Sequence, residues 1–285
     1  MTGQQKEPKS PLPAQTQEKP GLDSMMDPRP KYQAPLYRGA GKLSGKVALI
    51  TGGDSGIGRS VAVLYAREGA DVAIIYLAPE QSDAEETKQA VEAEGQRCLL
   101  LCGSVIEASF CREAVAETIA EFGKLDILVN NAAYQEEQKR FEDITEEQFD
   151  LTFKTNIYGY FYMVKAAMPH LKRGGAIINC GSVAGLQGNP KLVDYAATKA
   201  AIHGFTKSLA QNLVERGIRG TARCRQSHEA ARPTRGGVAG VRVLRLGGGL
   251  RLHFWRSADR QRSRTHRGLI VRWNKSPSSA QKVPE

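Results

Sequence analysis

The sequence predicts an α/β fold built on a doubly wound parallel sheet. Three observations predict it. Short apolar runs alternate with segments of helical period, the runs are apolar throughout, and the first is followed by a glycine-rich turn. Strands without polar alternation belong to a sheet covered by helices on both faces.

The elements follow in order. Val47-Ala48-Leu49-Ile50 is the first strand, and Thr51-Gly52-Gly53 is the turn that ends it. Residues 57–68 keep Ile57, Val61, Leu64 and Tyr65 on one helical face. Val72-Ala73-Ile74-Ile75-Tyr76 is the second strand, and residues 80–95 are a charged helix. A third strand is expected over 97–102, a third helix over 107–122 and a fourth strand over 127–129. A long helix spans 145–171, stopped near Pro169 and Gly174. Ala176-Ile177-Ile178-Asn179 is the fifth strand, and 194–216 is a further helix. Right-handed crossovers then put the ligand crevice at the carboxyl ends of the strands, where strand order reverses.

Composition sets the organisation around this core. Hydrophobic residues make up 41% of 285, enough for one large domain with tails. Residues 1–40, rich in Pro, Gln, Lys and Gly without apolar period, are expected to be a flexible arm. Within it, the segment 32–37 can pack on the domain as an extended strip. Residues 41–219 form the main domain. The net charge of +10 belongs to the last quarter, because residues 220–285 hold 15 Lys and Arg against 3 Asp and Glu. Residues 1–219 carry a net −2. The basic tail has few aromatics (Phe254, Trp255, Trp273) and no recognisable binding module, so no nucleic-acid partner is expected.

Cysteine usage suits a reducing compartment. Cys98 and Cys102 are four apart on a strand, share a face and are expected to be core thiols. No apolar run is long enough to span a membrane, and the N-terminus lacks an apolar signal core. The expectation is a cytoplasmic protein with no membrane partner. No His, Cys and carboxylate cluster suggests a metal, and His170 and His203 are expected to be surface or packing residues.

The chemistry starts at Thr51-Gly52-Gly53-Asp54-Ser55-Gly56-Ile57-Gly58, between the first strand and the first helix. Gly52 permits a tight turn, Gly56 lets backbone approach a pyrophosphate, and Gly58 lets the helix pack on the strand. The helix N-terminus offers free N–H groups and a positive dipole end to phosphates. Further along, Tyr195 and Lys199 lie four apart and share a helix face. A free tyrosine with a pKa of about 10 exchanges a proton poorly at neutral pH. The Lys199 ammonium favours the phenolate form and corrects this.

The turn spacing T-G-x-x-x-G-x-G resembles that of the short-chain dehydrogenase/reductase family. Asn130-Asn131-Ala132-Ala133 after the fourth strand, Asn156 in the long helix, Ser182 after the fifth strand and Tyr195-Ala196-Ala197-Thr198-Lys199 extend the likeness over residues 46–219. With Tyr32–Tyr37 in the arm, the chain looks most like the bacterial general-stress subgroup of aldehyde reductases. The resemblance implies a Rossmann-like fold and an NAD(P)-dependent oxidoreductase acting on a small carbonyl or alcohol. It implies Tyr195 as general acid/base, Ser182 holding the substrate oxygen, Lys199 on the nicotinamide ribose, and Asn156 anchoring a water that links Lys199 to solvent. The implied cofactor residues are Thr51, Gly52, Asp54, Ser55, Gly56, Ile57, Gly58, Tyr76, Ser104, Val105, Asn131, Ala132, Tyr195 and Lys199. Ser104 stands where many relatives have Asp against the adenine.

The cofactor is NADP or NAD. No acid ends the second strand, where Tyr76 and Leu77 stand, so the balance leans slightly to NADP. Arg59 belongs to the first helix and is taken as structural. The two long helices are those that form a dimer interface in the family, so a homo-oligomer is expected.

The resemblance stops after Arg219. A sixth strand like V-N-x-V-x-P-G is replaced by Gly220-Thr221-Ala222-Arg223-Cys224-Arg225, and residues 220–285 have the character of a shifted reading frame. The sheet is therefore expected to be incomplete at its C-terminal strands. A catalytically impaired family member with residual dinucleotide binding is the alternative function.

Overall fold

A computed structural model describes residues 15–225, 240–246 and 249–255, with side chains through Ala222. The chain divides into two compact units, 1–233 and 234–285.

The first unit carries a six-stranded parallel sheet. Its strands are β1 (Val47–Thr51), β2 (Asp71–Tyr76), β3 (Cys98–Cys102), β4 (Ile127–Asn130), β5 (Ala176–Ser182) and β6 (Arg219–Arg225), in the order β3-β2-β1-β4-β5-β6. The order reverses between β1 and β4, which opens a crevice at their carboxyl ends. All five residues of β1 are buried, as are all four of β4, which accounts for their unbroken apolar runs.

The helices are α1 (Gly56–Arg67), α2 (Gln81–Glu92), α3 (Ala108–Phe122), α4 (Glu146–Phe153), α5 (Gly159–Ala167), α6 (Ala184–Gln187) and α7 (Val193–Asn212). Leu49, Leu128 and Ile177 from the sheet pack with Val115, Met163 and Leu213 in the main core. The helix expected over 145–171 is broken. A π-helical segment, Lys154–Tyr158, separates α4 from α5. Its composition is ordinary for a helix, so nothing in the sequence marks the extra residue in the turn.

The sixth strand, expected to be lost, is present and pairs with β5 from Ala176↔Arg219 to Ser182↔Arg225. Gly217, at φ +65°, turns the chain back from α7, and buried Ile218 anchors the entry. Gly220 then lies close to Ala210 of α7, so close that a Cβ would sit 3.1 Å from the Ala210 Cα. Its Arg-rich composition suits the end of a sheet, where backbone pairing rather than apolar packing holds a strand. The second unit contains a hairpin of β7 (Gly240–Leu246) and β8 (Gly249–Trp255). The tail beyond Trp255, including most of its basic charge, lies outside the described residues.

The arm does not hang free over residues 15–40. Lys19 reaches Glu136 at 2.8 Å, Arg29 reaches Glu86 at 2.6 Å, and the Arg59 guanidinium sits 5.1 Å from the Tyr32 ring centroid. Tyr37 donates to the nearly buried Glu68, which also accepts from the Ala40 and Lys42 amides. Composition missed this because isolated polar residues, not an apolar face, hold the arm. Cys102 also differs from expectation. It is exposed at the end of β3, whereas Cys98 is buried. Burial pushes Cys98 and Cys111 up to about 12, so both stay protonated thiols.

Candidate active site

The glycine turn joins β1 to α1 at the crevice. Gly52, at φ +59°, passes so near Ala132 that a Cβ would stand 3.1 Å from its Cα. At Gly58 a Cβ would meet the Gly52 carbonyl oxygen at 1.8 Å, so only glycine lets α1 start here. Gly56, at φ +49°, faces open space with nothing within 4 Å of a Cβ. That opening beside the N-terminus of α1 is the cradle a pyrophosphate requires, so the residues present fit a dinucleotide.

Thr51, Asn131 and Ala132 lace the turn to the loop after β4. Thr51 Oγ1 accepts from the Asn131 and Ala132 amides at 2.9 and 3.0 Å, and Asn131 Nδ2 donates to the Gly52 carbonyl at 2.9 Å. Arg59 holds the turn from behind. Its Nε donates to the Asp54 carbonyl at 2.8 Å and to Thr87 at 2.9 Å, and its other nitrogens face Asp83 and Glu86. It is buried and structural, as expected from its place in α1.

At the end of β2, the Tyr76 hydroxyl donates to Gln81 Oε1 at 2.6 Å. Ser104 and Val105 follow β3, with Val105 buried and the Ser104 hydroxyl 3.5 Å from the Ile106 amide. The sequence reading missed Glu80 nearby. Its carboxylate accepts from the Leu77 amide at 2.8 Å. Burial, then repulsion from Asp54, pushes it up to about 7. Burial likewise raises Asp54, whose Oδ2 has no hydrogen-bond partner. Glu80 lies four residues beyond the strand end, so it is not the strand-end acid that sequence spacing marks.

Across the crevice the four catalytic candidates come from three elements. Ser182 ends β5 and is 3% exposed, with its Oγ accepting from the Ala184 amide at 3.1 Å. Tyr195 and Lys199 stand on α7, and both are buried. Lys199 Nζ donates to the Cys180 carbonyl at 2.8 Å and to the Tyr160 hydroxyl at 3.4 Å. It lies 5.4 Å from the centroid of the Tyr195 ring. Polar partners of this kind are what allow an ammonium to be buried.

Asn156 lies in the π-helical segment and is fully buried. Its Oδ1 accepts from the Tyr134 amide at 2.8 Å, and its Nδ2 donates to the Tyr134 carbonyl at 2.9 Å and to Thr198 at 3.0 Å. The side chain is thus engaged in fixing the loop after β4, a role that sequence spacing did not disclose. His203 packs with Nε2 3.2 Å from the Ser182 carbonyl. Among the described residues no group of three or more His, Cys, Asp or Glu could hold a metal. An open groove of about 600 Å³ runs along α6 and the start of α7, but Ser182, Tyr195 and Lys199 do not line it.

This arrangement can exchange a proton beside a bound dinucleotide. The short chain dehydrogenase family profile matches residues 46–225, which contain the turn and all four catalytic candidates. The chain belongs to that family. It is an NAD(P)-dependent oxidoreductase by class. General stress protein 39 of Bacillus subtilis is 58% identical to this chain over 209 residues, 73% of each chain. NADPH-dependent aldehyde reductase 1, chloroplastic, of Arabidopsis thaliana is 42% identical over 205 residues, 70% of this chain and 71% of the relative. Among solved structures, a short chain dehydrogenase from Burkholderia cenocepacia in complex with NADP is similar with a TM-score of 0.61 at 36% identity. The match covers 64% of this chain and 74% of that one.

Proposed function

We propose that the chain reduces a small aldehyde or ketone, or oxidises the corresponding alcohol, with Tyr195 as general acid/base. The observation that carries this reading is the Lys199 ammonium, buried 5.4 Å from the Tyr195 ring at the end of β5. A nicotinamide bound in the crevice supplies or accepts the hydride. Tyr195 gives the proton to the developing alkoxide, and the neighbouring positive charge stabilises its phenolate. Ser182 holds the substrate oxygen. Lys199 serves Tyr195 electrostatically and would hold the ribose of a bound nicotinamide. Asn156 keeps the loop after β4 in place, beside the path by which a water would relay protons to Lys199.

The cofactor is NADP or NAD. The absence of an acid at the end of β2 leans to NADP, and a carboxylate at Glu80 in the following loop opposes a 2′-phosphate whenever it is ionised. A homo-oligomer is supported by half-exposed Phe149, Tyr158 and Phe161 along α4, the π-helical segment and α5. No helix among the described residues is long and apolar enough to cross a membrane.

A second reading, dinucleotide binding without turnover, is favoured by one observation. The family match ends at Arg225, and the second unit begins soon after, at residue 234. The domain boundary at 219 and a shifted frame near codon 220 belong to this reading, and resequencing codons 210–285 tests them. Oxidation of NADPH or NADH by small aldehydes, followed optically with the full chain, separates the two readings. Turnover supports the reductase, and binding without turnover supports the impaired member.

A further inference from the structure

We infer that Asp23 is a positioning residue for the dinucleotide turn, and that the N-terminal arm braces this turn in its cofactor-receiving shape. The inference rests on the proposed dinucleotide site.

The arm bridges the two loops that flank the crevice. Lys19 pairs with Glu136 beyond β4, and Asp23 Oδ2 accepts from the Gly56 amide at 2.9 Å beyond β1. Gly56 opens α1, and the first amides of a helix have no partner within it. The residue placed to cap them, Ser55, makes no side-chain cap bond. Asp23 supplies that bond from 33 residues upstream. On the side where a Cβ would stand, Gly56 meets nothing within 4 Å, and its φ is +49°. Glycines also stand at 52, 53 and 58, so ordering the segment is entropically costly.

Asp23 is itself fixed. Its amide donates to Asp83 Oδ2 at 2.7 Å, and its carboxylate lies 3.8 Å from Arg59 Nη1. Arg59 and Thr87 both donate to the Asp54 carbonyl, at 2.8 and 2.7 Å. The turn is therefore tied at Asp54 by α1 and α2 and at Gly56 by the arm. The amides of Ile57 and Gly58 are left for phosphate. Arg59 lies nearer Asp83 and Glu86, at 3.4 and 3.3 Å, and shares its charge among the three carboxylates. A brace of this kind lowers the ordering cost that cofactor binding would otherwise bear.

The test measures NADH and NADPH affinity of the full chain by fluorescence titration for the unaltered protein, Asp23→Ala and Asp23→Asn. Hydrogen exchange of the amides at 55–58 is measured without nucleotide. Asp23→Ala should weaken both nucleotides about fivefold, the size of one helix-cap interaction. Asp23→Asn keeps an acceptor oxygen and should stay within about twofold. Exchange at 55–58 should quicken in Asp23→Ala and return towards normal in Asp23→Asn. Unchanged or tighter binding by Asp23→Ala overturns the inference. If the unaltered chain binds neither nucleotide, the proposed function falls, and exchange alone decides the brace: faster exchange at 55–58 in Asp23→Ala upholds it, and unchanged exchange overturns it.

Discussion

The Asn156 side chain closes both backbone groups of Tyr134, accepting from its amide at 2.8 Å and donating to its carbonyl at 2.9 Å. One buried residue from the π-helical segment thereby sets the loop that borders the crevice. Asn156→Ala would leave backbone donors and acceptors unsatisfied. The expected cost is about 2–3 kcal/mol, seen as a lower Tm together with a fall in kcat. Unchanged Tm and kcat would contradict this role.

The glycines of the turn differ in what they permit. Gly58→Ala drives a methyl into the Gly52 carbonyl, 1.8 Å away, and should abolish dinucleotide binding or prevent folding. Gly56→Ala meets no protein atom and bears only the left-handed backbone cost in folding, about 1–2 kcal/mol, but its methyl stands in the cradle and should weaken dinucleotide binding. Soluble expression and melting curves of the two variants check the contrast, which fails if Gly58→Ala folds as stably as Gly56→Ala.

Glu80 gives stability a pH dependence of known sign. Burial, with Asp54 next, raises its folded pKa from 4.5 to about 7, against the pull of the Leu77 amide. Between those values the folded chain keeps a proton that the unfolded chain has lost, so this residue's contribution to stability falls as pH rises through the window. Glu80→Gln stays neutral and should be more stable than the unaltered chain at pH 8, by about 1 kcal/mol after solvent screening. The difference should shrink near pH 5. Melting curves at the two pH values decide it, and an equal difference at both would refute the assignment.

The sequence carried the sheet through β5, because strands buried on both faces leave unbroken apolar runs such as Val47-Ala48-Leu49-Ile50. It also carried the turn and the Tyr195–Lys199 pair, whose chemistry depends on spacing along one element. Other features depend on contacts distant in sequence. Asp23 meets Gly56 across 33 residues, and Asn156 meets Tyr134 across 22. Neither pairing leaves a period. Strand β6 was illegible for another reason: Arg219-Gly220-Thr221-Ala222 has no apolar run and is held by backbone pairing with β5.

The thiols offer a check on the burial pattern. Exposed Cys102 should react with a disulfide reagent in the native state, while Cys98 and Cys111, pushed up to about 12 by burial, should react only on unfolding. Mass spectrometry of the labelled peptides distinguishes them. Rapid native labelling of Cys111 would contradict the core.

The most direct test of the oxidoreductase reading compares the unaltered chain with Tyr195→Phe, measuring aldehyde-dependent NADPH oxidation alongside nucleotide affinity. The expected result is turnover by the unaltered chain, a loss of about 10²–10⁴-fold in Tyr195→Phe, and equal nucleotide binding by both. Undiminished turnover in Tyr195→Phe, or none in an unaltered chain that binds nucleotide, would contradict it.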